Sequence, residues 1–237
     1  MYTDLALAVG LVLVAACATW WLLGLPASYV TVAGLLGVVL ASLVLWSLPA
    51  EVAGPGIGAA NRVTLARAAL AVPVFALASP TFALGPGAEG VATRWWVIVL
   101  STAVMVLDGV DGRVARRTGS RSAFGARFDM ELDAALILVL SVLVWRTGRV
   151  DAWVLLIGLM RYLFVAASRI WPALGAELPA STRRKVVCVV QGVVLLVALG
   201  PIIPEPVAVG VTAAGLVALC YSFAVDVRWA LSHGAPR

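Results

Sequence analysis

The chain has 237 residues, 62% of them hydrophobic and 12% charged, with a mean hydropathy of +1.04. That is too apolar for a soluble domain, and its long apolar runs are continuous rather than alternating, which argues against a β-barrel. The reading left is an all-α, polytopic membrane helix bundle, whose formal charge of +5 reflects topology and attraction to a lipid surface without any need for nucleic acid.

Segments long enough to span fall at 5–24, 29–48, 63–83, 95–116, 125–145, 151–171, 184–203 and 207–228. The first two form an N-terminal transmembrane hairpin, 1–48, turning at Gly24-Leu25-Pro26 and holding no charged residue after Asp4. VAAC at 14–17 is shaped like a lipoprotein cleavage box, but the start, MYTD, lacks the basic residue of a cleaved signal, so the segment is expected to remain a span. A packing or oligomerisation role is expected for this hairpin. The stretch 49–61, PAEVAGPGIGAAN, reads as an interfacial linker to a six-helix core at 62–230, with a tail at 231–237.

Asn61-x-x-Thr64-x-x-Arg67 opens the first core span. Steps of three place an amide, a hydroxyl and a guanidinium roughly on one helix face, suited to a nucleotide's sugar, base edge or phosphate. A helix cap followed by a snorkelling arginine accounts for the same residues without a ligand. Pro73 and Pro80 are expected to kink or shorten this helix before an outer loop at Gly85-Pro86-Gly87. Trp95 and Trp96 then read as interfacial anchors.

The chemistry concentrates between Asp108 and Asp133, DGVDGRVARRTGSRSAFGARFDMELD. Ionisable groups beside an apolar span are costly to desolvate unless a partner neutralises them, so they point to function. On a helix, Asp108 and Asp111 share a face that Gly112 and Ala115 extend with little bulk. On the next, Gly125, Asp129 and Asp133 recur at i, i+4 and i+8, while Glu131 points elsewhere. Packed as an antiparallel pair, the two helices bring together four carboxylates that repel unless cations sit between them. Hard oxygen donors select Mg²⁺, Mn²⁺ or Ca²⁺ over zinc, and carboxylates plus a substrate phosphate suit Mg²⁺.

The pattern Asp108-x-x-Asp111-Gly112-x-x-Ala115-Arg116, eight residues, Gly125-x-x-x-Asp129-x-x-x-Asp133 resembles, in type and spacing throughout, the signature of the CDP-alcohol phosphotransferase family. The resemblance implies transfer of a phosphatidyl group from CDP-diacylglycerol to an alcohol with release of CMP, in phospholipid biosynthesis. It implies one or, more readily, two Mg²⁺ or Mn²⁺ ions on Asp108, Asp111, Asp129 and Asp133, with Asp133 as general base for the incoming hydroxyl. It also implies donor contacts from Asn61, Thr64, Arg67, Gly112, Ala115, Arg116 and Gly125, and a possible homodimer. Arg117, Arg121 and Arg127 read instead as a solvated basic loop.

Arg161 lies inside the span 151–171, about 15 Å from its cytoplasmic end at helical rise. A buried arginine needs an anion, either a signature carboxylate or the acceptor's own phosphate. Arg169, eight residues on, shares its face. Ser181-Thr182-Arg183-Arg184-Lys185 then caps the next span, with Gln191 one to two turns inside it. Arg161, Arg169, Arg183, Arg184 and Lys185 together outline an acceptor or phosphate pocket, although positive-inside anchoring explains the last three equally well. Cys17, Cys188 and Cys220 lack metal spacing and read as small core residues; His233 reads as idle.

Eight spans with both termini on one side gather Arg62, Arg67, Arg113, Arg116, Arg117, Arg121, Arg127, Arg169, Arg183, Arg184, Lys185, Arg228 and Arg237 there, against Arg94, Arg146 and Arg149 opposite. The positive-inside rule makes the first side cytoplasmic and places the acidic cluster at that surface of the cell membrane. Glycerol 3-phosphate is the first acceptor expected, with inositol phosphate, phosphatidylglycerol, serine or a choline-like alcohol as alternatives. Met-Glu-Leu between Asp129 and Asp133 lacks the proline common in phosphatidylglycerophosphate synthases. A cation transporter is the competing class, but it predicts carboxylates near the bilayer midplane rather than at the ends of one hairpin.

Overall fold

The computed structural model describes residues 2–47, 59–82, 84, 87–118, 123–175, 178–179 and 181–233, and of residues 2, 59–60, 88, 110–118 and 123 the backbone alone. Among these, eight α-helices follow in order: α1 Tyr2–Leu23, α2 Ser28–Ser47, α3 Ala59–Leu77, α4 Ala88–Thr118, α5 Ala123–Arg146, α6 Leu155–Ile170, α7 Thr182–Leu199 and α8 Glu205–His233. No strand occurs among the described residues. Among the described residues five segments are long and apolar enough to cross a membrane, Thr3–Leu23, Ser28–Ser47, Glu89–Gly109, Ala152–Ile170 and Glu205–His233. Two of the remaining helices carry the chain's concentrated charge, α5 with Arg127, Asp129, Glu131 and Asp133 and α7 with Arg183, Arg184 and Lys185.

The chain divides into two compact units within α5, Met1–Leu136 and Ile137–Arg237. In the first, α3 packs on α1, α2 and α4. The N-terminal hairpin is bound into this unit by polar ties as well as by packing. Gly24 makes its turn at φ +61, a conformation that residues with a Cβ rarely adopt. The buried Tyr29 hydroxyl donates to the Pro73 carbonyl at 2.9 Å, and Asp4 meets Arg62 at 2.9 Å. Leu5, Ala8 and Val44 of the hairpin close on Leu65, with Leu40, Phe124 and Phe128 packed against them. The hairpin thus abuts the helix segments that carry Arg67 and Asp129.

In the second unit α7 packs on α8 and α6 also touches α8. Gly158 of α6 lies so close to α5 that an added Cβ would stand 2.4 Å from the Leu138 Cα, the small-residue contact by which membrane helices approach. Arg149 donates to the carbonyls of Ala198 and Gly200 at 3.2 and 2.8 Å, satisfying groups left open at the end of α7. Gln191 is buried in α7 and donates across to the Gly215 carbonyl of α8 at 3.0 Å.

Several local expectations change. α3 ends at Leu77, shortened as expected from Pro80, which cannot donate to a continuing helix and disfavours helical backbone at Ser79, although the apolar run goes on to 83. α8 runs on through His233, so the expected tail begins inside a helix, where the His233 ring stacks on Trp229 with centroids 4.6 Å apart. Trp95 is exposed, whereas Trp96 donates its indole N–H to Thr19 Oγ1 at 2.9 Å and so ties α4 to α1. Cys17 and Cys220 are exposed rather than core residues, since they sit on outward faces of helices whose inner faces are taken by other small residues; Cys188 is half-buried. Ser181 takes the N-cap position of α7 but makes no side-chain cap bond. Of the expected linker, residues 49–58 lie outside the described residues, and Ala59 already opens α3.

Candidate active site

The site is built from three helices of the first unit. α3 presents Asn61, Thr64 and Arg67 at helical steps of three, and all three are buried. α4 carries Asp108 near the end of its apolar run, and α5 carries Asp129 and Asp133 one turn apart. One carboxylate oxygen from each of Asp108, Asp129 and Asp133 lies within 4.8 Å of the other two. Three carboxylates this close repel one another, and Arg67 supplies a positive charge among them.

The Arg67 side chain is 1% exposed and crosses from α3 to both other helices. Its Nε donates to the Val104 carbonyl of α4 at 3.1 Å, one turn before Asp108. Nη1 meets Asp108 Oδ1 at 2.9 Å and also bonds Asp129 Oδ1, while Nη2 donates to Asp133 Oδ1 at 2.9 Å. A planar guanidinium suits this role, because its donors fan out in a fixed fork that a lysine lacks. The carboxylates, by contrast, keep 38%, 33% and 32% of their side-chain surface exposed. Arg67 is therefore the buried floor of the cluster and the aspartates are its open rim.

All the donors on that rim are hard oxygens, from three carboxylates carrying more negative charge than one arginine neutralises. The set fits a divalent cation of the Mg²⁺ or Mn²⁺ kind and could hold one. Glu131, between the two α5 ligands, is exposed and turned away, as its position in the helix requires. Gly125 lies half-buried one turn before Asp129, and Arg127 is exposed. The backbone of Asp111, Gly112, Ala115 and Arg116 continues α4, but their side chains lie outside the described residues.

The residues expected to form a phosphate pocket belong to the second unit. Arg161 is half-buried and Arg169 exposed on α6; Lys185 is exposed on α7. Arg183 and Arg184 are engaged with α8: Arg183 bonds Ser222 through its hydroxyl at 2.8 Å and both arginines bond Asp226. Asp226, nearly buried, and Ser222 drew no attention in the sequence, although a lone aspartate inside a 29-residue apolar helix is the kind of group that needs a basic partner. Arg67, forty or more positions upstream, pairs with three of the signature carboxylates.

Membrane-length helices and an open carboxylate cluster over a buried arginine define an integral, multi-pass membrane protein with a site suited to cations and phosphates. The family model described as CDP-alcohol phosphatidyltransferase matches residues 57–224, the greater part of the chain and all of this site. The chain belongs to that family. Ethanolaminephosphotransferase 1 of Mus musculus is 44% identical over 55 residues, which are 22% of this chain and 14% of that protein's length. No solved structure matches the chain.

Proposed function

We propose that the protein is a metal-dependent phosphatidyltransferase of phospholipid biosynthesis, moving a phosphatidyl group from CDP-diacylglycerol to an alcohol and releasing CMP. The observation that carries this reading is the convergence of Asp108, Asp129 and Asp133 in a chain matched by the family model over 57–224. The acceptor hydroxyl attacks the phosphorus that bears the diacylglycerol. A new P–O bond forms, the pyrophosphate P–O bond to CMP breaks, and the hydroxyl proton passes to Asp133. Arg67, donating to one oxygen of Asp133, fixes that carboxylate's orientation on α5.

Asp108, Asp129 and Asp133 would hold the divalent ions together with Asp111. When bound, Mg²⁺ or Mn²⁺ screens the pyrophosphate and stabilises charge on the departing CMP. Gly112, Ala115 and Gly125 are assigned to the donor's cytidine, and Arg116 to its phosphate. Asn61 and Thr64, buried on α3, are assigned to the donor as well. The donor's acyl chains remain in the bilayer while the cluster opens to the cytoplasmic surface of the cell membrane, the side favoured by the distribution of basic residues. Arg161, Arg169 and Lys185 are assigned to the acceptor, which favours a phosphorylated alcohol such as glycerol 3-phosphate. Arg183 and Arg184, which bond Asp226, are assigned to it with them. The enzyme works as a homodimer on this reading.

A second reading exchanges the partners: the CDP-linked alcohol is a small amino alcohol, and a lipid alcohol accepts the phosphoalcohol group. The similarity to mouse ethanolaminephosphotransferase 1 favours it. The two separate in one experiment. Purified protein is given CDP-diacylglycerol with each candidate alcohol, or CDP-ethanolamine with diacylglycerol, and the lipid products are resolved by mass. A new phospholipid in the first set alone supports the main reading, and one in the second set alone replaces it.

A further inference from the structure

Arg67 occupies the place where a cation bridging α4 and α5 would act. Its Nη1 is shared between carboxylates of the two helices, Asp108 and Asp129, while Nη2 holds Asp133 and Nε is anchored on the Val104 carbonyl. The same three aspartates bring their oxygens within 4.8 Å of one another. With these carboxylates ionised, the guanidinium leaves the group with a net charge of about −2, which one divalent ion would neutralise. A second ion, balanced by Asp111 alone, would make the positive charge of Arg67 surplus.

We propose that Arg67 is the resident counter-ion of the aspartate cluster: it holds the carboxylates convergent before metal binds and gives up its shared Nη1 contact when a divalent cation enters. Nη2 stays on Asp133, and the freed Nη1 is left to donate to the donor's pyrophosphate. With Nε on Val104 and Nη2 on Asp133 the planar guanidinium keeps its place, and only the partner of Nη1 changes. Arg67 thereby joins metal loading to phosphate binding. This rests on the cation-binding reading of the site but not on which alcohol the enzyme uses.

The test uses the purified full chain in detergent, with Mn²⁺ as the probe. Binding is read from free Mn²⁺ by electron paramagnetic resonance, and Tm is read with chelator and with saturating Mn²⁺. A positive charge at the site opposes a divalent ion, so Arg67→Gln is expected to bind Mn²⁺ tighter by roughly tenfold or more. Its chelated Tm falls below wild type, and saturating Mn²⁺ closes most of that gap. Arg67→Lys keeps the charge but cannot span three carboxylates, so its Mn²⁺ affinity stays within about threefold of wild type. Its chelated Tm still falls.

Folded Arg67→Gln protein that binds Mn²⁺ as weakly as wild type, or more weakly, overturns the proposal. Should that variant not fold, the lysine variant decides: a chelated Tm equal to wild type with the same Mn²⁺ increment also overturns it. Wild-type protein that binds no Mn²⁺ defeats both this inference and the metal reading. Wild-type protein that binds Mn²⁺ but makes no lipid product defeats the proposed reaction alone.

Discussion

Asp129→Asn should stabilise the metal-free protein while abolishing its activity. Asp129 gains from Arg67 but is opposed by Asp108 and Asp133, whose nearest oxygens lie within 4.8 Å. With an effective dielectric constant of about 20, the attraction at ~4 Å between charge centres is about 4 kcal/mol. Each repulsion at that oxygen separation is about 3.5 kcal/mol, so the pair together outweighs the attraction by about 3 kcal/mol. About a third of each carboxylate is exposed, and solvent screening reduces the net to roughly 1–2 kcal/mol. Asparagine keeps an oxygen for the guanidinium and removes the charge. In a chain of this size the gain corresponds to roughly 2–8 °C in Tm. The assay is thermal unfolding in chelator and then in Mn²⁺, where wild type should gain more than the variant because the variant has lost a ligand. A chelated Tm several degrees below wild type would refute the reasoning, since Arg67 would then more than offset the repulsion.

Two further substitutions probe the second unit. Gly158→Ala puts a Cβ 2.4 Å from the Leu138 backbone, so α5 and α6 must separate. The expected cost is roughly 1–3 kcal/mol, read as a lower Tm, and an unchanged Tm would show that the helices part freely. Asp226→Asn leaves Arg183 and Arg184 without their shared carboxylate. Because the arginines are partly exposed, a loss of roughly 1–3 kcal/mol is expected rather than the larger cost of breaking a fully buried pair. If the KM for a phosphorylated acceptor falls while Tm falls too, the released arginines can serve the pocket; an unchanged KM marks the trio as an α7–α8 clamp.

The helical bundle and the aspartate hairpin were legible because both depend on local pattern. Long apolar runs set the helices, and steps of three and four set which carboxylates share a face. What one helix does to another was harder to read. Asn61, Thr64 and Arg67 were placed on one face of α3, but what that face meets depends on packing against α4 and α5, and Arg67 turned out to lie beneath the aspartates. An arginine deep in an apolar run needs an anion, and Arg67 meets that condition as much as Arg161 does. Asp226 escaped for the converse reason: its partners, Arg183 and Arg184, lie about forty residues upstream and are explained well enough by membrane topology. The polar ties of the hairpin, Tyr29 to Pro73 and Thr19 to Trp96, use residue types whose usual reading in a membrane protein is packing or interfacial anchoring.

The central claim is that the carboxylate cluster catalyses transfer from a CDP-linked lipid. Its most direct test is CMP release by purified protein with CDP-diacylglycerol, Mg²⁺ or Mn²⁺ and a panel of alcohols, alongside Asp133→Asn. The account predicts metal-dependent CMP release with at least one alcohol, reduced about 10²–10⁴-fold in the variant as expected for loss of a general base. A folded wild-type protein that releases no CMP with any alcohol, or a variant that keeps the wild-type rate, would contradict it.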